Sequence, residues 1–353
     1  MSYLMNCWYA FAWSNEIGES LFTRTVLNKR IVAFRRRDGS PAALLDRCPH
    51  RFAPLSMGHK EDDSIRCHYH GLGFNGEGIC VYSPFSDKPP ANGHAYSFPL
   101  AEKNQMVWIW PGDPARADPA LIQDFCFHDP EPGRDSWTAA GYVLMRTNYE
   151  VETDNLMDLS HIEILHAGSF GGRGYIYAGQ HQLHDKGTEI DSNWWIPSVP
   201  FVDPASGEAA AKTIDHYIDM RWQAPANMIL HTGFIPIDQY REHADGDRAG
   251  VPGQWISHIL TPETDATTHY FWCAARPTDL TSGMTAEVAK TLLKRAFEDE
   301  DKPMLEAVQD NMDDEFWKMQ PMVIASDAGG IRVRRRLAKM ISDEMASSVK
   351  HQS

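Results

Sequence analysis

The chain has 353 residues and a formal charge of −15, from 33 Lys and Arg against 48 Asp and Glu, and is long enough for two domains with separate cores. No dense cationic block interrupts that acidity, which argues against nucleic acid or an anionic membrane as a partner. It has no apolar run of ~18 residues to span a bilayer, no signal-peptide pattern before Trp13, and only six cysteines, too few for a disulfide framework at this size, so a cytoplasmic protein with reduced thiols is expected.

The first third reads as β. Arg30 to Phe34, Pro41 to Leu45 and Met106 to Trp110 are short apolar runs separated by Asp-Gly, Gly and Pro punctuation, the pattern of a small antiparallel domain. Between the second and third runs stand Cys48-Pro49-His50 and, after sixteen residues, Cys67-His68-Tyr69-His70. Two loops that each offer one thiolate and one imidazole suit a Rieske [2Fe–2S] cluster, with two Cys on one iron and two His on the other. Imidazoles in place of two thiolates lower the negative charge around the cluster and raise its potential. Cys48, His50, Cys67 and His70 are the expected ligands, and the C-x-x-H spacing passes over His68. Zinc also accepts two Cys and two His, but zinc motifs tend to pair like with like within a loop. Immediately downstream, Gly71-Leu72-Gly73-Phe74-Asn75-Gly76 fits the dinucleotide fingerprint. That fingerprint has meaning only between a strand and a helix, whereas Glu77 to Tyr82 reads as strand, so nicotinamide binding by this chain is rejected.

Pro and Gly in Trp110-Pro111-Gly112-Asp113-Pro114, then Asp118-Pro119, stop a strand and redirect the chain. The expected domains are therefore 1–118 and 119–353. The second begins with a short helical stretch around Asp154 to His166, continues through strand-like pieces such as Met228 to Leu230 and His269 to Trp272, and ends in helices near Thr285 to Met319 and Ile331 to Val349. Grouped rather than alternating elements make it α+β. Asp158, His161 and His166 form a D-x2-H-x4-H pattern. Two His plus a carboxylate on one face of an iron is the facial triad of non-haem Fe(II) oxygenases. On a regular helix the two His would diverge by roughly 140°, so a π-bulge or a helix break is needed, and the pair alone is equally compatible with ordinary histidines. For the carboxylate, Leu293, Phe297, Asp301, Met304, Leu305 and Val308 recur at helical spacing and set Asp301 within an apolar stripe, while Asp299 has Arg295 and Lys302 beside it on a solvated face. A buried carboxylate needs a metal or a counter-charge, which favours Asp301.

With both sites assembled, the chain resembles the oxygenase components of the Rieske non-haem iron oxygenases, most closely the vanillate O-demethylase, dicamba O-demethylase and toluenesulfonate methyl-monooxygenase group. The likeness rests on Asn6 to Ala10, Cys48 to Arg51, Cys67 to Leu72, Val107 to Asp113, Asp154 to His161, Ile259 to Thr264 and Asp327 to Gly330. It implies an N-terminal all-β Rieske domain and a catalytic domain with a helix-grip antiparallel sheet, carrying a [2Fe–2S] cluster and a mononuclear Fe(II) on His161, His166 and Asp301. It also implies a homotrimer in which the cluster of one subunit lies beside the iron of the next. Asp158 matches the residue that bridges the centres, and Asn155 one close to the iron. His68 departs from the relatives, which tend to have a non-histidine there.

The implied function is that of a terminal oxygenase drawing electrons from NADH through a ferredoxin or flavin reductase to O-demethylate a methoxybenzoate-like aromatic. Aryl-methyl hydroxylation, N-demethylation and ring hydroxylation are alternatives, and a pure Rieske electron carrier is the rival from another class. For substrate contacts, His258 matches a pocket position in the dicamba enzyme, and His231 and Asn227 lie on a nearby strand-like segment. The basic run Arg332, Arg334, Arg335, Arg336 and Lys339 reads as a solvated helix face or subunit contact.

Overall fold

The apolar runs of the first third pair as antiparallel strands, and the alternation of side chains along them places the cores. The computed structural model describes residues 2–129, 136–167, 169, 174–202, 209–237, 239–240, 242, 244, 248, 250–277, 284–312 and 315–350. It divides into two units, one running to Asp124 and including Thr261–Asp265 and the stretch that begins at Asp343, the other comprising Phe125–Leu260 and Ala266–Ser342. The division is thus not one cut in the sequence.

The first unit has three small antiparallel sheets. They are β1 (Tyr9–Trp13), β11 (Met106–Ile109) and β10 (Leu100–Lys103); β2 (Phe22–Val26), β3 (Lys29–Arg35), β4 (Pro41–Leu45) and β9 (Ser97–Phe98); and β5 (His59–Glu61), β6 (Ser64–Arg66), β7 (Gly73–Asn75) and β8 (Cys80–Tyr82). In β3, Ile31 and Ala33 enter one core with Tyr9, Phe11, Val107 and Ile109. Val32 and Phe34 enter another with Leu44, Leu55, Ile65, Phe74 and the thiol-bearing Cys48 and Cys67. Successive strand side chains face opposite ways, so one strand serves both cores. Each large apolar side chain fully buried there contributes roughly 1.5–3 kcal/mol. The Gly71 to Gly76 stretch runs through the β6–β7–β8 ribbon with no helix after it, which removes the setting a dinucleotide fingerprint requires. Near residue 118 the two Asp-Pro pairs each open a 3-10 turn, with Asp113 and Asp118 accepting hydrogen bonds from Ala115 N and Ala120 N. Proline at the first position loses no hydrogen bond there.

The second unit is built on a seven-stranded antiparallel sheet. Its order is β12 (Ser136–Met145), β18 (Thr267–Pro277), β17 (Gln254–Thr264), β16 (Asn227–Pro236), β15 (Ala209–Gln223), β14 (Glu189–Val202) and β13 (Gln180–Asp185). The helices are α1 (Tyr149–Met157), α2 (Ala286–Lys294), α3 (Lys302–Asp310) and α4 (Ala328–Lys350). Among the described residues no helix is long and apolar enough to cross a membrane.

Two helical expectations need correction. The stretch from Thr285 to Met319 is not one helix: α2 passes into a π turn over Arg295–Asp301, then α3, then a 3-10 turn over Phe316–Met319, with residues 313 and 314 outside the described set. The cause is Pro303, which cannot donate to the Asp299 carbonyl and would clash with it in a regular helix; the widened turn instead sends the Lys302 N–H to Phe297 O. That turn changes the phase of α3, so Met304 is exposed while Asp301 and Leu305 stay buried. The basic run is likewise not uniformly solvated, because Arg334 is buried and ion-paired to Glu150 (3.0 Å) and Asp154 (2.6 Å).

Candidate metal centres

The two cysteine loops close the same turn. Cys48 N donates to Ala53 O (2.8 Å) and Phe52 N to Cys48 O (2.9 Å), as Cys67 N does to Leu72 O (2.8 Å) and Gly71 N to Cys67 O (2.9 Å). Each turn needs a left-handed residue four places after its cysteine, Phe52 at φ +61° and Gly71 at φ +72°. Glycine meets that requirement freely; phenylalanine does so at a cost of about 1 kcal/mol. Turning this way buries both thiols and brings the His50 and His70 rings to 4.6 Å between centroids. The Cys48 thiol is pushed up to about 11 by burial, with the neighbouring Cys67 thiol adding to the effect. Two thiols facing each other and two imidazoles facing each other is the sorting that a two-iron cluster with one iron of each kind demands. His68 is exposed and stands outside this arrangement.

The second centre forms where α1 ends. Asn148 caps its start by accepting from Glu150 N. At Asp158 the backbone leaves helical geometry, and that residue caps the following 3-10 turn, Leu159–Glu163, through Ser160 N to its Oδ1 (3.0 Å). That 3-10 turn ends at Glu163, and this break between the two histidines, rather than a π-bulge, lets His161 and His166 converge, with ring centroids 5.2 Å apart. The π-bulge lies in the other helix, where Phe297 packs against Tyr270 and Trp272 on the sheet (5.4 and 5.6 Å) and fixes the turn that carries Asp301. One Asp301 oxygen lies 3.8 Å from His161 Nε2 and 3.4 Å from His166 Nε2. One donor atom from each of the three residues falls within 4.8 Å of the others. The Nδ1 atoms are both engaged elsewhere, His161 with the Asp158 main-chain oxygen (2.5 Å) and His166 with Glu300 Oε2 (2.7 Å). Protons on Nδ1 leave both Nε2 lone pairs for a metal, so the donor set fits a mononuclear iron with two histidines and one carboxylate.

Asn155 Nδ2 reaches Asp301 Oδ1 at 3.5 Å. The Asp158 carboxylate does not meet the His161 ring: it takes Ser160 N and the Ser326 hydroxyl (3.0 Å), and the main-chain carbonyl receives the imidazole instead. The centre opens on a cavity of about 1390 Å³, counted out to its open mouth, whose walls include Leu156, Ile218, Leu230, Ile256, His258 and Phe297. Burial pushes His258 down to about 3, with Asp301 opposing, so the ring is neutral. Its Nδ1 meets the Tyr270 hydroxyl at 2.6 Å, and its Nε2 is buried without a partner. The other two expected substrate residues lie away from this cavity. His231 stacks on Trp255 (3.7 Å) and bonds the Tyr217 hydroxyl (2.9 Å), in a separate groove with Asp219 and Arg248. Asn227 has His231's parity on β16, and neither lines the cavity; the reason is strand alternation, which turns Leu230 and Thr232 inward instead. Sequence reasoning missed Glu300 and Tyr270. Glu300, next to Asp301 and three residues before the helix-breaking Pro303, carried the only usable signal.

The chain matches the family model of the Rieske [2Fe-2S] domain over residues 7–102 and that of the vanillate O-demethylase oxygenase C-terminal domain over residues 145–343. It is 34% identical to the oxygenase component of chloroacetanilide N-alkylformylase from Rhizorhabdus wittichii, over 97% of each chain. It is also 34% identical to the toluene-4-sulfonate monooxygenase system iron-sulfur subunit from Comamonas testosteroni, over 97% of this chain and 98% of that one. The crystal structure of dicamba monooxygenase bound to dicamba superposes with a TM-score of 0.85 at 31% identity, covering 98% of this chain and 100% of the other.

Proposed function

The chain belongs to the Rieske non-haem iron oxygenases of the vanillate O-demethylase group, and from that premise we propose that it is the terminal component of a monooxygenase that demethylates a small methoxybenzoate-like aromatic. The observation that carries this reading is a two-histidine, one-carboxylate site opening on a largely apolar cavity whose wall includes His258, a neutral imidazole with one nitrogen unengaged. Cys48 and Cys67 would hold one cluster iron and His50 and His70 the other, while His161, His166 and Asp301 would hold the mononuclear iron. When bound, these groups supply electron transfer and dioxygen activation. Electrons come from NADH through a separate ferredoxin or flavin reductase. Inserting one oxygen atom into the methyl C–H bond of an aryl methyl ether gives a hemiacetal that collapses to a phenol and formaldehyde, the second oxygen leaving as water with two electrons and two protons.

The protein's own part is positioning. The Tyr270 hydroxyl, which among the described residues meets only His258 Nδ1, donates to it, and the ring proton therefore sits on Nε2. That N–H orients an acceptor oxygen on the substrate, because leaving it unpaired in the cavity would cost about 1–3 kcal/mol. Phe297, Leu156 and Ile256 exclude water from the same space. Asn155 reaches the same Asp301 oxygen that faces the two histidines and steadies it there.

The trimer of the relatives is part of this proposal. Phe52 and Tyr69 are exposed apolar residues on the cluster loops, and Met322, Val323 and Ile324 are exposed near the opening that reaches Asp158, Asn155 and His161. Packing the cluster face of one protomer on that opening of the next covers both patches and brings a cluster histidine to the Asp158 carboxylate. Asp158 is then the link between centres, touching His161 through its main-chain oxygen.

Oxidation of an aryl methyl or N-alkyl group is the second reading, supported by relatives at equal identity. Incubating the enzyme and a reductase with methoxybenzoates, methylbenzenesulfonates and N-alkyl anilides, while following NADH and formaldehyde, tests both. The expected result is coupled formaldehyde release from a methoxybenzoate. Turnover of the sulfonates alone, to benzyl alcohols without formaldehyde, overturns the first reading.

A further inference from the structure

The two iron histidines are held unequally. His161 Nδ1 meets a neutral main-chain oxygen, whereas His166 Nδ1 meets the Glu300 carboxylate. Glu300 is itself fixed at both oxygens: the Ser169 hydroxyl donates to Oε2 at 2.7 Å, and Arg295 Nε lies 3.3 Å from Oε1. Arg295 and Glu300 are five residues apart within the π turn, the spacing such a turn closes. The next residue, Asp301, faces the opposite edge of the same His166 ring. Two consecutive acids thus grip one imidazole from both sides.

We propose that Glu300 is a positioning residue for the iron centre, holding His166 with its proton on Nδ1 and its Nε2 lone pair directed at the metal. A carboxylate behind a ligating imidazole fixes the tautomer and the ring orientation and makes Nε2 a stronger donor than a main-chain carbonyl does. His166 is by this account the tighter of the two nitrogen ligands. The turn that delivers Asp301 to the metal is the same turn that delivers Glu300 to its ligand.

The test is a metal titration and needs no substrate, so its outcome is independent of the proposed demethylation. Full-length protein with its cluster intact and its mononuclear iron removed is titrated anaerobically with Co(II), whose visible absorption reports the ligand field. Affinity is expected to fall about 10-fold in Glu300→Gln and about 100-fold in Glu300→Ala, the span typical of such outer partners. The Co(II) spectrum should shift in both, with thermal midpoint and cluster spectrum unchanged. Glu298→Gln, on the neighbouring half-buried side chain that pairs with Lys294, should bind as the parent does. Wild-type affinity in both Glu300 variants overturns the proposal. So does weakened binding accompanied by lost thermal stability and an unshifted Co(II) spectrum, which would make Glu300 structural only.

Discussion

Four consecutive acids, Glu298 to Asp301, follow one another in the π turn, and they differ in what surrounds them. Asp301 is buried between two imidazoles, Glu300 lies behind one of them, and Asp299 is exposed. Asp301→Asn replaces an anionic ligand with a neutral amide, so iron per chain should fall by about one equivalent with the cluster spectrum intact. Asp299→Asn should leave iron content unchanged, and metal analysis of the two variants checks the pair. Asp301 was legible in the sequence because an acid inside an apolar stripe needs a reason to be there. Asp299 lies on the exposed face expected for it, whereas Arg295, expected beside it, meets Glu300, because a periodicity of 3.6 does not describe a turn that closes after five residues. The choice between the Asp158 carboxylate and carbonyl was also hidden, since it depends on where α1 stops.

Elements were easiest to read where one period persists. Strands β3 and β4 follow their apolar runs closely, and β4 matches Pro41 to Leu45 residue for residue. The helices were harder because partners from elsewhere in the fold decide which face is buried. Arg334 sits in a basic run that looked solvated, yet α1 supplies Glu150 and Asp154 to receive it, and its guanidinium rests 4.6 Å from the centroid of Phe316. Arg334→Met removes the cation from two carboxylates. Breaking a buried pair this way costs about 3 kcal/mol, toward the lower end because both acids retain some contact with water. Arg335→Gln, at an exposed position, should change stability by less than about 0.5 kcal/mol. Urea midpoints followed by far-ultraviolet circular dichroism would show the difference, and an unchanged midpoint in Arg334→Met would contradict the buried-pair account.

At the scale of the whole molecule, two metal motifs in separate segments made the family legible, because each needs particular residue types at particular spacings. The substrate was not legible. The cavity wall is largely apolar side chains drawn from five or more segments, and no local spacing records which of them share a surface; that His231 and Asn227 stand off this wall was hidden for that reason. The two sites together imply that one chain couples an electron-carrying cluster to an oxidising iron centre. A single-turnover experiment tests it most directly: fully reduced protein, without reductase, is mixed with a methoxybenzoate and oxygen while cluster absorbance and product are followed together. The cluster is expected to oxidise as phenol and formaldehyde appear, with up to about one product per iron centre, and Asp158→Asn is expected to keep the cluster spectrum but lose both the fast oxidation and the product. Oxidation of the cluster with no product from any substrate in the panel would contradict it and leave the chain an electron carrier.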